Sequence, residues 1–328
     1  MRTLKLTVAY DGTNYHGFQK QTNALTVQQV LEEKLSLICG EKIVTAGSGR
    51  TDTGVHARGQ VVSLTTSGSI PLENLLKACA GILPKDIVLW QAEEADEGFH
   101  ARYSACWKRY CYRIVQNKHA DPFLRNYVWQ MREYLRLEAM QEAAQLLLGT
   151  HDFSFFRSAG SVQSSPVKTI YRAEWLPKEQ GELEFCIEGN GFLYHMVRNI
   201  VWHLVEVGKG TKSIAAFKSE FAAGKRHFKV APAPPQGLYL DYVGYIPHFL
   251  ADIEKISEID GFGGVMGQSV VEFFAKDGTT DLIHRLADAG VNMTWKGEPK
   301  GDKLAGMTLV VTGTLETLSR NEAGALIV

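Results

Sequence analysis

Gly47-Ser48-Gly49-Arg50-Thr51-Asp52-Thr53-Gly54-Val55-His56-Ala57 sets one carboxylate, Asp52, in a loop of small residues between Arg50 and His56. The glycines permit tight or left-handed backbone and let a ligand approach the chain closely. A carboxylate displayed between an arginine and polar donors stays ionised and can serve as a nucleophile or base. A bare Arg-Thr-Asp tripeptide would be an ordinary solvated turn; the longer glycine-punctuated run is more specific.

Upstream of this loop, Leu4, Leu6, Val8 and Tyr10 alternate with Thr3, Lys5, Thr7 and Ala9, the pattern of a half-buried strand. Thr26 caps a helix that carries Val27, Val30, Leu31, Leu35 and Ile38 on one face, and Gly40 stops it. Downstream, strands are expected over Gln60–Thr65, Ile87–Ala92 and Arg109–Val115, with a helix at Leu72–Ala80. A helix over Leu137–Leu148 ends at Gly149. Strands follow near Ile170–Leu176 and Leu183–Glu188, divided by the turn Glu179-Gln180-Gly181. Helices over Leu193–Val207 and Ser213–Ala223, a Pro-rich segment Ala231–Gly237 and a strand Leu238–Tyr245 complete the pattern, and Pro247 marks a boundary. Short helices interleaved with half-buried strands favour an α+β plan, with helices on one face of largely antiparallel sheets. Periodicity leaves the pairing order open.

The chain has 328 residues, enough for two or three domains, and its 45% apolar and 22% charged shares suit a soluble globular protein. Nothing approaches the apolar length of a membrane span, and Met1 leads straight into the first strand pattern without a signal peptide. Five cysteines without CxxC spacing fit a reducing cytoplasm and make no case for a metal site. The net charge of −1 is uneven: residues 1–250 carry 28 Lys+Arg against 24 Asp+Glu, residues 251–328 carry 7 against 12. A mildly positive body suits a polyanion only where its cations cluster. Arg102, Lys108, Arg109, Arg113, Lys118 and Arg125 do so, with Tyr103, Trp107 and Tyr112 between them. Cations for phosphates and aromatics for unstacked bases are a common RNA grip, although strand alternation turns about half of such a set inward.

Taken together, the Gly47–Ala57 run, the opening Tyr10-Asp11-Gly12-Thr13-Asn14-Tyr15-His16-Gly17-Phe18-Gln19, the Thr26-Val27-Gln28 triplet, Lys108-Arg109-Tyr110-Cys111-Tyr112-Arg113 and Gly191-Phe192-Leu193-Tyr194-His195-Met196-Val197-Arg198-Asn199 resemble bacterial tRNA pseudouridine synthases of the TruA type. The resemblance covers about residues 1–247. It implies two related α/β halves, 1–105 and 106–247, whose mainly antiparallel sheets join around a central basic cleft. It also implies action on uridines 38, 39 and 40 of the tRNA anticodon arm, in the cytoplasm, by a homodimer whose subunits share each tRNA.

The reaction breaks the uracil N1–ribose C1′ bond, turns the base and rejoins it through C5, so it needs no cofactor and no metal. It needs a carboxylate, a group for the C5 proton and a means of lifting the uridine from its stack. By resemblance Asp52 is the catalytic carboxylate, Arg50 helps to extrude the nucleotide, Tyr110 stacks on the flipped uracil and joins in proton transfer, and Arg198 pairs with Asp52. His56, Arg58, Lys108 and Arg109 are assigned to the substrate side, with a structural role as the alternative for His56 and Arg58. His195 and Met196 are expected to be packing residues. Trp202 stands where the family usually has glycine, which predicts adjusted helix packing.

Residues 251–328 resemble a different protein. Ile256-Ser257-Glu258-Ile259-Asp260-Gly261-Phe262-Gly263 followed by Gln268–Phe274 looks like a helix-hairpin-helix, and Leu282–Leu286 with Leu304–Leu315 resembles the C-terminal region of bacterial NAD-dependent DNA ligases, where a helix-hairpin-helix domain leads through a linker into a BRCT domain. No adenylating KxDG motif is present, so ligation is not expected, and sparse cations argue against independent DNA binding. The segment is expected to be a small helical extension and a truncated fragment. The rival readings of the whole chain are a catalytically silent tRNA-binding or remodelling protein, and an RNA-modifying enzyme with a nucleic-acid-tethering tail.

Overall fold

The computed structural model describes residues 1–158, 160, 165–224 and 231–248. The helix-hairpin-helix and BRCT expectations lie outside the described residues. The described residues belong to one compact unit.

The first strand, β1 (Arg2–Tyr10), buries Leu4, Leu6, Val8 and Tyr10 as the alternation requires. It lies antiparallel between β3 (His56–Thr66) and β4 (Ile87–Ala95). Helix α1 (Val27–Cys39) starts where Thr26 Oγ1 accepts from the Gln29 amide and stops at Gly40, which is left-handed at φ 68°. A three-residue strand, β2 (Thr45–Gly47), pairs with β3, and α2 (Leu72–Ile82) packs against β4.

The second half is built on β5 (Trp107–Gln116), β8 (Val167–Pro177) and β9 (Glu182–Gly189), with short strands β6 (Trp129–Met131) and β7 (Gly149–Asp152). Its helices are α3 (Leu137–Gln145), α4 (Met196–Lys209) and α5 (Ile214–Ala223), which pack on one another. Helix α3 is three residues shorter than the expected Leu137–Leu148. Leu146, Leu147 and Leu148 donate to carbonyls only three residues back, so the helix tightens, and Gly149 at φ 92° turns the chain into β7.

The last strand, β10 (Leu238–Gly244), joins the halves. The sheet runs β4-β1-β3-β10-β5-β9-β8-β7, with β2 and β6 paired off this path to β3 and β5. Strand β10 runs antiparallel to β5 over six residue pairs but parallel to β3 over only two, Tyr239 with His56 and Leu240 with Ala57. Among the described residues one mixed, largely antiparallel sheet with five α-helices results, and a single apolar core extends through it. Because the loop before β3 carries Asp52 and β5 carries Tyr110, the seam at β10 brings both to one place. Trp202 stacks on Trp129 (6.0 Å, 10° between planes), with Tyr112 edge-on to Trp129.

Candidate active site

Loop 48–55 is held from three sides. Ser48 donates its amide to Val61 O (2.8 Å) and its Oγ to Gln60 Oε1 (2.7 Å), and Gln60 Nε2 donates to Gly49 O (2.8 Å). At the end of β1, Tyr10 OH meets Thr51 Oγ1 at 2.7 Å, and burial pushes the Tyr10 phenol up to about 12. From the third side, Phe18 N donates to Thr51 O (3.1 Å) and Gly54 N to Tyr15 O (3.3 Å). Gly17 makes this approach possible: its φ is +85°, and a Cβ there would sit 2.5 Å from Thr51 O.

Asp52 is thereby presented, about a quarter exposed, to the first turn of α4. Arg198 Nη1 donates to Asp52 Oδ2 (3.2 Å), and Arg198 Nε donates to Ala233 O (2.7 Å). The Pro-rich segment returns the contact through Ala233 N, which donates to Arg198 O (3.2 Å). The guanidinium is thus fixed between a rigid loop and the carboxylate, at 11% side-chain exposure. His195 Nε2 stands 3.4 Å from the same Oδ2. Oδ1 takes no protein hydrogen bond among the described residues, and Asp52 lines the cleft.

That cleft has a volume of about 1140 Å³ and is walled by loop 48–55 on one side and by β5 and the start of α4 on the other. Its size exceeds the usual small-molecule pocket of roughly 300–1,000 Å³ and leaves room for an extruded nucleotide with its flanking backbone. Arg50, Asp52, Lys108, Tyr110 and Arg198 all line it. Arg50 is exposed and has no ion-pair partner among the described residues. Tyr110 is buried, edge-on to Phe192 at 5.1 Å. Burial raises its phenol well above the ordinary value, and the nearby Tyr10 and Asp52 add to this, so Tyr110 enters as a neutral hydroxyl. Burial also lowers Lys108 to about 8, helped by the neighbouring cations Arg102 and Lys168. Lys108 forms no salt bridge among the described residues.

The other residues expected on the substrate side sit elsewhere. His56 is 2% exposed, stacked on Tyr239 at 4.8 Å. Gly12 N–H donates to its Nδ1 (3.0 Å), so its proton is on Nε2, facing Asn126 O at 2.9 Å. Burial lowers its basicity, only partly offset by Asp11, and the neutral ring serves the seam between β3 and β10. Arg58 lies over the Tyr239 ring (4.7 Å) and pairs with Asp241 and Glu184; Arg109 pairs with Glu188 at 2.6 Å. None of the three lines the cleft. The basic run 102–125 is divided by strand alternation: Lys108 and Tyr110 face the cleft, while Arg109 and Arg113 are paired with Glu188 and Glu182 on the far face. Tyr112 is wholly buried, its OH donating to Pro234 O (2.7 Å).

One group among the described residues has the composition of a metal site, Cys111, Glu184 and Cys186 on that far face. It does not fit one. Arg58 and Lys178 already stand 3.6 and 3.4 Å from Glu184, and the bond to Cys186 and burial both push the Cys111 thiol up, away from the thiolate that a metal needs.

Of the two residues expected to pack, Met196 does, at 1% exposure. His195 instead reaches Asp52. The helix expected over Leu193–Val207 starts only at Met196, which leaves His195 at its N-cap, where Ser, Thr, Asp or Asn is usual, with no side-chain cap bond.

Comparison with known proteins bears on this constellation. The family model for tRNA pseudouridine synthase matches residues 6–104 and 143–245. The chain is 44% identical over 245 residues to tRNA pseudouridine synthase A of Thermoanaerobacter sp. (strain X514), a match spanning 75% of this chain and 100% of that relative. It is 45% identical over 245 residues to tRNA pseudouridine synthase A of Geobacillus sp. (strain WCH70), spanning 74% and 98%. With tRNA pseudouridine synthase A 1 of Protochlamydia amoebophila (strain UWE25) it shares 44% over 250 residues, spanning 75% and 97%. A chain of a solved Cbf5-Nop10-Gar1 complex is far more distant, at 12% identity and a TM-score of 0.31 over 80% of this chain and 58% of that one.

Proposed function

Because the chain belongs to the tRNA pseudouridine synthase family and is an isomerase of that kind, we propose that it converts uridines 38, 39 and 40 of the tRNA anticodon arm, with Asp52 as the catalytic carboxylate. The observation that carries the assignment is Asp52 itself: a carboxylate held through Oδ2 by Arg198, at the wall of a cleft large enough for a nucleotide.

The N1–C1′ bond breaks, C5 bonds to C1′, the C5 proton leaves and N1 gains one, so the atoms balance without redox chemistry. Oδ1 has two routes, addition to C1′ and removal of a sugar proton, and both need it ionised and fixed. Arg198 supplies the charge and the orientation. Tyr110, a neutral phenol, offers a ring to the flipped uracil and a hydroxyl that can pass a proton without ionising first. Arg50 holds a phosphate or stacks where the base has left, and Lys108 holds backbone phosphate. No cofactor or metal has a part in these steps.

In this proposal the enzyme acts in the cytoplasm as a homodimer, with residues 1–105 and 106–247 as its two halves. Among the described residues no helix is long and apolar enough to cross a membrane. Pseudouridine mapping on an anticodon stem-loop tests the position assignment. Signal at 38, 39 and 40 that disappears in Asp52→Ala supports it, and signal confined to other uridines overturns it.

A further inference from the structure

His195 breaks a local rule. It is the one non-glycine residue at positive φ among the described residues (φ 59°, ψ 7°), a conformation that costs a side-chain-bearing residue stability. Such strain persists only where the surroundings hold it, and it collects at functional sites. Here the ring is clamped: Tyr194 stacks on it at 3.8 Å, Nε2 faces Asp52 Oδ2 at 3.4 Å, and Nδ1 meets Ser158 Oγ at 3.0 Å.

The hydrogen-bond network behind Ser158 bears on the tautomer. Asn199 Nδ2 donates to Phe156 O at 2.7 Å, and that carbonyl, which can only accept, fixes which end of the amide is nitrogen. The same Nδ2 reaches Ser158 Oγ at 3.3 Å, so Oγ accepts there. Oγ keeps a second lone pair, so its 3.0 Å contact with His195 Nδ1 admits either direction; with the hydroxyl donating, Nδ1 accepts and the ring proton sits on Nε2, aimed at Asp52. The 3.4 Å gap is long for a hydrogen bond, as catalytic contacts often are before substrate arrives. Closing it would give Oδ2 a second donor beside Arg198 and would direct the lone pairs of Oδ1 into the cleft.

We propose that His195 is a positioning residue for Asp52, its Nε2 proton set by the Asn199–Ser158 chain behind it. The proposal rests on Asp52 being the reactive carboxylate.

The test is single-turnover tritium release from tRNA labelled at uridine C5, with tRNA affinity and thermal midpoint measured for each variant. His195→Ala should slow the bound complex about 10- to 30-fold with affinity within about twofold, the scale of one hydrogen bond to a charged group. His195→Gln, whose amide nitrogen can donate without a tautomer, should recover most of that rate. Ser158→Ala should slow the parent about 3- to 5-fold, yet cost less than about twofold when added to His195→Gln, a coupling that lost packing alone would not produce. Full rate in folded His195→Ala, a change confined to tRNA affinity, or an equal Ser158→Ala cost in both backgrounds would each overturn the proposal. An active Asp52→Ala control would instead overturn the assignment of the carboxylate, so the two failures are told apart.

Discussion

Replacing Arg198 with methionine keeps an unbranched apolar stem and removes the charge and the donors. Two bonds go with it, Nε to Ala233 O at 2.7 Å and Nη1 to Asp52 Oδ2 at 3.2 Å. A hydrogen bond to a charged group contributes about 1.5–3 kcal/mol. Asp52 is a quarter exposed and the bond to it is on the long side, which favours the lower end of that range. Expressed in the transition state, about 1.5–2 kcal/mol slows the reaction roughly 10- to 30-fold. The Ala233 carbonyl, left without its donor, costs about 1 kcal/mol of stability, or roughly 2–4 °C in Tm for a domain of this size. Single-turnover rates, tRNA affinity and thermal melts of Arg198→Met and Arg198→Lys measure all three quantities. The lysine variant offers one point charge where the guanidinium spans two acceptors, and should fall between parent and methionine. A methionine variant that binds tRNA normally and reacts within twofold of the parent would refute the idea that Arg198 orients Asp52 in the reacting complex.

Two further outcomes follow from the walls of the cleft. Lys108, lowered to about 8, is protonated below that pH and neutral above it, and phosphate favours the protonated form. tRNA affinity should therefore weaken about 3- to 10-fold between pH 7 and 9.5 in the parent and much less in Lys108→Arg, which stays charged; equal weakening in both would remove Lys108 from the phosphate contact. Gly17→Ala would strain a residue at φ +85° and drive a Cβ to 2.5 Å from Thr51 O, so it should lower both Tm and rate without touching substrate; a parent-like rate would show that the loop does not depend on this packing.

Much of the site was legible because its residues are contiguous. Arg50 and Asp52 share one loop, Lys108 and Tyr110 lie two apart on a strand and so face the same way, and Thr26 and Gly40 are strong helix punctuation. What stayed hidden was non-local. Strand β10 has an ordinary apolar pattern, and nothing in it announces that two of its residues bridge to β3 and close the sheet. Strands β2, β6 and β7 are three or four residues long, too short for an alternation to register. The cationic run around β5 looked like one surface, but opposite strand faces and the carboxylates of β9 divide it. For His56 the sequence left a substrate-side and a structural role open, and its pairing with Tyr239, which buries it, favours the structural one. His195 read as packing because a histidine beside methionine at a helix start usually is; its left-handed backbone is what turns it to Asp52.

The proposed chemistry depends on the two carboxylate oxygens of Asp52. Tritium release from tRNA labelled at uridine C5, compared between the parent and Asp52→Ala with both shown to bind tRNA, tests it most directly. With Asp52 as the reactive carboxylate, the parent should release tritium and the variant none. Release at similar rates by both would contradict the assignment of Asp52 and, with it, the roles given to Arg198 and His195.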